Sequence, residues 1–395
     1  MRFSSVLFLP LVLLKSVSST TMDSKALSSS IAKFSAKFCN ELEKKTSVVA
    51  SPLSAEYVLA LVALGSEDPA HAELLQTLGL PGDDAVRSAF TNVSAKLKSV
   101  KGITLNVANK VYVQDGGYEL NSALQNDAVK VFDAAIEKLD FARAGAADTV
   151  NKWVESKTNN RIKELLTADS VNSDTRLVLV NALYFKGLWL KQFDKMSTMD
   201  QPFHLDETKT VDIPMMFIEE EFSYGESTDL GVQYLKMPYK GEEASMLIVL
   251  PEEINGLDKV LKKLADGYDL LGDVDKMGET KVRVTLPRFK IETEIDLGDL
   301  LPKLGVKAIF DQNNSGLTKL LNSDEKLFVS KAVQKAFIEV NEEGAEAAAA
   351  TAMGIMMCSA IIDEPPVPSF TADRPFLAVI LVDNVLYFTA TYRGA

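Results

Sequence analysis

The stretch Glu342-Glu343-Gly344-Ala345-Glu346-Ala347-Ala348-Ala349-Ala350-Thr351 constrains this chain more than any other. Alanine and glutamate are good helix formers, so a solvated Ala-rich helix is one reading of it. A period of two gives a second. Ala345, Ala347, Ala349, Thr351, Met353 and Ile355 then share one face, none of them charged, and Glu346 puts a charge on the other. Small residues with one uncharged face can enter a sheet as a strand without burying a charge. Gly344, directly before them, supplies the backbone freedom of a hinge.

The surrounding segments decide between the two. Phe337-Ile338-Glu339-Val340-Asn341-Glu342-Glu343-Gly344 leads into the tract, and Phe370-Thr371-Ala372-Asp373-Arg374-Pro375-Phe376-Leu377 follows it. Upstream stand Ser51-Pro52-Leu53-Ser54, then Asn151-Lys152-Trp153-Val154 with Thr158-Asn159, then Asn181-Ala182-Leu183-Tyr184-Phe185-Lys186-Gly187-Leu188-Trp189. Met237-Pro238-Tyr239-Lys240-Gly241 and Leu286-Pro287-Arg288-Phe289-Lys290 complete the series. In this order the strings resemble the serpins, protease inhibitors that act by loop insertion, from about Leu27 onward. The overall sequence resembles the invertebrate haemolymph members, which restrain immune and clotting protease cascades.

Element patterns agree with that fold class. Residues 27–45 read as an amphipathic helix, and helical patterns recur to about residue 100 and over 145–166. The apolar run 177–180 reads as a strand buried on both faces. Strands also read over 245–250 and 281–286. Asp383-Asn384 is a two-residue turn between strands 376–382 and 385–392. Helices first and strands last imply an α+β fold with large, mostly antiparallel sheets, and the resemblance adds an exposed reactive-centre loop over about 342–369.

Residues 1–20 have the build of a secretory signal peptide: Arg2, an apolar run over 6–14, then small residues. A single secreted, extracellular domain over 21–395 is expected, with an intracellular form starting at Met22 left open. Asn92 and Asn313 begin glycosylation triplets, as in a secreted glycoprotein. The net charge of −13 argues against nucleic acid and anionic membrane surfaces as partners. Lys96, Lys98 and Lys101 form a small basic cluster, read as a solvated face, so a heparin-like polyanion is not an expected partner. Cys39 falls on a helical apolar face and reads as a packed thiol, whereas Cys358 lies outside any such pattern. His71 and His204 lack a neighbouring nucleophile motif, and scattered Cys and His give no metal spacing. Neither an enzyme, a metal nor a cofactor is expected.

The resemblance implies a monomeric suicide substrate that forms a covalent acyl complex with a serine protease. Family spacing counted from Gly344 places the reactive bond at Cys358-Ser359, with Met357-Cys358 and Ser359-Ala360 as the other registers. No Arg or Lys lies in 351–362, so an elastase- or chymotrypsin-like target is expected. The resemblance also assigns sheet-opening support to Ser51, Ser54, Asn181, Trp189, Lys290 and Gln334, with Lys290 pairing Glu342. Gln334 stands where many members carry histidine. A non-inhibitory carrier or storage serpin and a cross-class inhibitor of cysteine proteases stay open as alternatives; carriers usually spoil the hinge with bulky, charged or proline residues, whereas this hinge has no proline and no bulky or charged residue on its inward face.

Overall fold

Asp23 opens the first helix by accepting the Ala26 N–H at 2.7 Å. Elements then follow as α1 (Ser24–Asn40), β1 (Val48–Ala50), α2 (Pro52–Leu64), α3 (Ala70–Leu78), α4 (Asp83–Ser99), β2 (Ile103–Gln114), α5 (Ser122–Lys130), β3 (Ala135–Leu139) and α6 (Ala146–Lys157). Strands dominate from there: β4 (Leu177–Gly187), β5 (Met199–His204), β6 (Thr210–Ser227), β7 (Val232–Pro238) and β8 (Ala244–Pro251). Helices α7 (Leu257–Ala265) and α8 (Leu270–Val274) precede β9 (Gly278–Pro287) and β10 (Phe289–Asp296). Last come α9 (Leu297–Leu300), β11 (Val329–Val340), β12 (Ser369–Thr371), β13 (Phe376–Val382) and β14 (Val385–Tyr392). The structure, a computed structural model, describes residues 22–344 and 366–394. The leader expected over 1–20, the hinge residues 345–351 and the candidate cleavage residues Met357, Cys358, Ser359 and Ala360 lie outside them.

Two sheets organise the fold. One has nine strands in the order β1-β14-β13-β8-β7-β6-β9-β12, with β5 on β6. The other has five, in the order β10-β11-β4-β2-β3. Its β11–β4 pair is parallel, with Gln334 level with Asn181 and Phe337 with Tyr184, while β10–β11 and β2–β4 are antiparallel. The apolar run that opens β4 is explained by this layering. Leu177 and Leu179 face the main core, and Val178 and Val180 face a second core beneath α6.

Helix α6 is docked on that second core by specific contacts. The Lys110 ammonium lies 4.7 Å from the Tyr112 ring centroid and 4.6 Å from that of Trp153, and pairs with Glu137 at 2.5 Å. Asn151 exchanges hydrogen bonds with the backbone of Leu166, at 2.9 Å from its N–H and 2.8 Å to its carbonyl. The helix is shorter than the 145–166 expected from sequence. Thr158 caps it, and Asn159 and Asn160 take left-handed φ of 51° and 56°. The first helix likewise stops at Asn40 rather than 45, where the Glu41 N–H turns back onto the last carbonyls. The β13–β14 turn has φ of 48° at Asp383 and 60° at Asn384, as a two-residue primed turn requires.

Cys39 is buried, with its Sγ 3.0 Å from Thr389 Oγ1. Desolvation pushes its pKa up to about 12 against the lowering effect of Thr389. The thiolate is therefore scarce at pH 8. Iodoacetamide is expected to label Cys39 only after unfolding, checked by mass spectrometry of peptides from folded and denatured protein; labelling in the folded state would contradict this burial.

Candidate functional site

The site is built where β11 ends beside β4. Asn341 and Gly344 close a tight turn, with the Asn341 N–H donating to the Gly344 carbonyl at 2.9 Å and the reverse bond at 3.2 Å. The turn is fastened to the segment after β4. Trp189 N–H and Gln192 Nε2 donate to the Glu343 carbonyl at 3.0 and 3.1 Å, and Phe193 N–H donates to that of Glu342 at 2.9 Å. Trp189 is buried, stacks on Tyr239 with centroids 4.5 Å apart, and donates its indole N–H to the Asn341 carbonyl at 2.9 Å. Gly344 has φ +118°, and a Cβ there would stand 2.2 Å from the Gly187 carbonyl oxygen and 2.7 Å from Leu188 Cα. Only glycine satisfies both demands.

Charges complete the fastening. Glu342 is buried and its Oε1 accepts from Thr198 Oγ1 at 2.8 Å, with Arg288 Nη1 at 3.6 Å. Glu343 pairs with Lys195, whose pKa this carboxylate raises, and its Oε2 is buried with no partner. The pairing expected between Lys290 and Glu342 is not the one observed. The register sets Phe289 opposite Val340 and Lys290 opposite Glu339, so Arg288 is the cation level with the turn. Lys290 instead holds its ammonium 5.1 Å from the Phe337 ring centroid.

Lower on the same seam, a buried polar cluster ties β11 to β4 and α2. Gln334 Nε2 donates to the Ser51 carbonyl at 2.9 Å and to Asn181 Oδ1, while Gln334 Oε1 accepts the Ser51 N–H at 2.8 Å. Asn181 Nδ2 donates to Ser54 Oγ at 2.6 Å and to Asn109 Oδ1. Ser54 Oγ donates to Asn109 Oδ1 at 3.1 Å, and Ser51 Oγ to the Tyr387 carbonyl at 2.6 Å. Every amide hydrogen of Gln334 and Asn181 is used, as burial demands. The sequence reading had four of these residues and missed Asn109. Its signal was an amide in the middle of an apolar strand, where a buried polar group needs a partner.

Other singled-out residues lie elsewhere. His71 is 2.8 Å from Asp83, and His204 Nδ1 is 3.1 Å from Thr210 Oγ1. Lys96 pairs with Glu243 at 3.0 Å and Asp383 at 2.6 Å, and Lys98 with Asp133 at 3.2 Å. Asn92 and Asn313 are exposed. No helix among the described residues is long and apolar enough to cross a membrane.

Replacing Gly344 by alanine is expected to lower the stability of the intact protein by about 1–3 kcal/mol, through strain in φ and the clash with the 187–189 backbone. A lowered midpoint in thermal melting checks this, and an unchanged midpoint would show that the turn opens at no cost.

Comparisons with known proteins agree on one family. The family model described as "Serpin (serine protease inhibitor)" matches residues 29–392. Antichymotrypsin-2 of Bombyx mori is 42% identical over 91% of this chain and 96% of its own. Antitrypsin of the same organism is also 42% identical, over 91% and 92%. A crystal structure of Serpin48, titled a highly specific serpin of the insect Tenebrio molitor, superposes with a TM-score of 0.85 at 32% identity, covering 95% of this chain and 99% of that one. With this match across nearly its whole length, the chain belongs to the serpin family.

Proposed function

We propose that the chain is a secreted, monomeric suicide-substrate inhibitor of serine proteases. The observation that carries this reading is the parallel β11–β4 seam with the glycine turn at its end. A segment that leaves β11 and reverses at Gly344 runs antiparallel to β11. Because β4 is parallel to β11, the same segment is antiparallel to β4 as well. Entry of one strand thus exchanges one parallel pair for two antiparallel pairs, which are slightly more stable per residue.

The chemistry is the protease's own. Its serine Oγ attacks the carbonyl carbon of Cys358, the Cys358–Ser359 bond breaks, and Ser359 departs as a new protonated amine. An acyl ester joins Cys358 to the protease. The freed segment 345–358 has fourteen residues, against eleven in β4 and twelve in β11, so it spans the seam. About a dozen new backbone hydrogen bonds at roughly 1 kcal/mol each make insertion favourable by on the order of 10 kcal/mol. Insertion carries the tethered protease along and distorts its deacylation machinery. Before cleavage, the turn fastened by Trp189, Gln192 and Phe193 keeps the seam closed.

The loop residues indicate the target class: Met357 and Cys358 suit a medium apolar primary pocket of elastase or chymotrypsin type. The Lys96 patch takes no polyanion on this reading, since Glu243, Asp383 and Asp133 neutralise it. Asn92 and Asn313 are exposed acceptors for glycans in a secreted form.

Cleavage of the loop by a non-target protease is expected to raise the unfolding temperature sharply, read by calorimetry of intact and cleaved protein. If the two melt together, the loop does not insert and a carrier role is favoured. Ala347→Pro removes a ladder donor from the inserting strand. Reactive-bond cleavage should persist in this variant while the gel-stable complex disappears; undiminished complex yield would refute the assigned hinge.

A further inference from the structure

The five-stranded sheet has an open edge on the side of β4 away from the seam. β3 covers β2 only from Lys110 to Gln114, so residues 103–109 of β2 have no strand beyond them. Apart from the ladder with β4, no backbone hydrogen bond takes up residues 103–108 among the described residues. An edge left open in this way presents unpaired N–H and C=O groups. Beside it, α2 and α4 leave a cleft of about 300 Å³.

The cleft is apolar inside and polar at its mouth. Its walls are Leu97 of α4, Leu105 and Val107 of β2, Leu183 of β4, and Phe132. The polar groups within it are already committed. Ser94 Oγ donates to the Val131 carbonyl at 2.8 Å and lies 3.1 Å from the Tyr57 hydroxyl, and Ser54 Oγ donates to Asn109 Oδ1 at 3.1 Å. Two lysines stand at the mouth. Lys98 pairs with Asp133 at 3.2 Å, whereas Lys157, the last residue of α6, is exposed and has no ion pair among the described residues. Asn106 also lines the cleft with its side-chain amide unpartnered among those residues. An interior whose polar groups are spent takes hydrocarbon. A mouth with one uncompensated ammonium, a free amide and open strand N–H groups takes a carboxylate.

We infer that this cleft binds an amphipathic monocarboxylate of the fatty-acid class, tail inward and carboxylate at Lys157. The site also touches the seam. Ser54 and Asn109 line it and belong to the amide cluster that holds β11 to β4, and Leu183 is a residue of β4 itself. Strand entry parts Gln334 from Asn181 and rearranges that cluster. A ligand seated against Ser54 and Asn109 binds the closed arrangement better than the rearranged one, so it favours the closed sheet. That coupling rests on the inhibitory reading above; the binding does not.

The test uses the full-length protein and decanoate below its micellar concentration, with decanol and decyltrimethylammonium as probes of the same tail. Calorimetric titration is expected to show decanoate binding severalfold more tightly than either. Leu105→Trp, which fills the cleft, is expected to weaken decanoate binding by about tenfold or more. Lys157→Gln is expected to bring decanoate down toward decanol, and because Lys157 is exposed this variant reads the site even if the tryptophan variant does not fold. Lys33→Gln, at a separate cavity between α1 and α8, is expected to bind as the parent does. Absent binding, undiminished binding by either cleft variant, or tighter binding of decyltrimethylammonium would each overturn the proposal. Decanoate is further expected to raise the unfolding temperature of the intact protein and to slow complex formation with a target protease, both to a smaller extent in Lys157→Gln. An unchanged rate of complex formation would remove the coupling and leave the site. A protein that binds decanoate in the cleft but forms no complex with any protease would sink the inhibitory reading and leave the site standing.

Discussion

The parallel contact between β11 and β4 is the interaction on which the rest of the molecule depends. It is a weak joint by design of its geometry: parallel ladders are slightly less stable than antiparallel ones, and this one lies in the middle of a five-stranded sheet rather than at its edge. What holds it is not the ladder alone. Gln334 and Asn181 face each other across it, and their amides are saturated by Ser51, Ser54 and Asn109. Buried amides of this kind are costly when half satisfied, so the cluster is stable as a whole and opens as a whole. That makes the seam two-state rather than gradually deformable, which is what a fold needs if it is to stay closed until a single covalent event.

The upper end of the seam works by a different principle. Here the fastenings are backbone bonds from Trp189, Phe193 and the Gly344 turn, reinforced by Glu342 and Glu343. The Glu343 carboxylate is buried and pairs with Lys195 through Oε1. Arg288 lies 3.6 Å from Glu342 while half exposed, so this contact is modest and easily exchanged. The lower cluster therefore sets how firmly the sheet is closed, and the upper turn sets how readily it begins to open.

Sequence revealed these parts unevenly, for physical reasons. The β13–β14 hairpin was legible to the residue because Asp383-Asn384 is a local turn signal between two apolar runs. Helix α6 was over-extended because its apolar pattern continues past Thr158, and the left-handed Asn159 and Asn160 carry no mark in a periodicity. Lys290 and Glu342 were paired by resemblance, but their partners depend on the β10–β11 register, which only the assembled sheet fixes. Asn109 was missed for the same reason, since its role exists only once β2 lies beside β4.

The two Bombyx mori relatives bear on protease specificity. A protein named for chymotrypsin and one named for trypsin are each 42% identical to this chain over 91% of its length. Identity across the scaffold thus does not separate the two protease classes. On the reading proposed above, the parallel seam, the glycine turn and the buried amide cluster act through the sheet and not through the protease, so they are indifferent to which enzyme performs the cleavage. Selection between enzymes would then act before the acyl bond forms, in the fit of a few loop side chains to the primary pocket. On that reading the task falls to residues such as Met357 and Cys358.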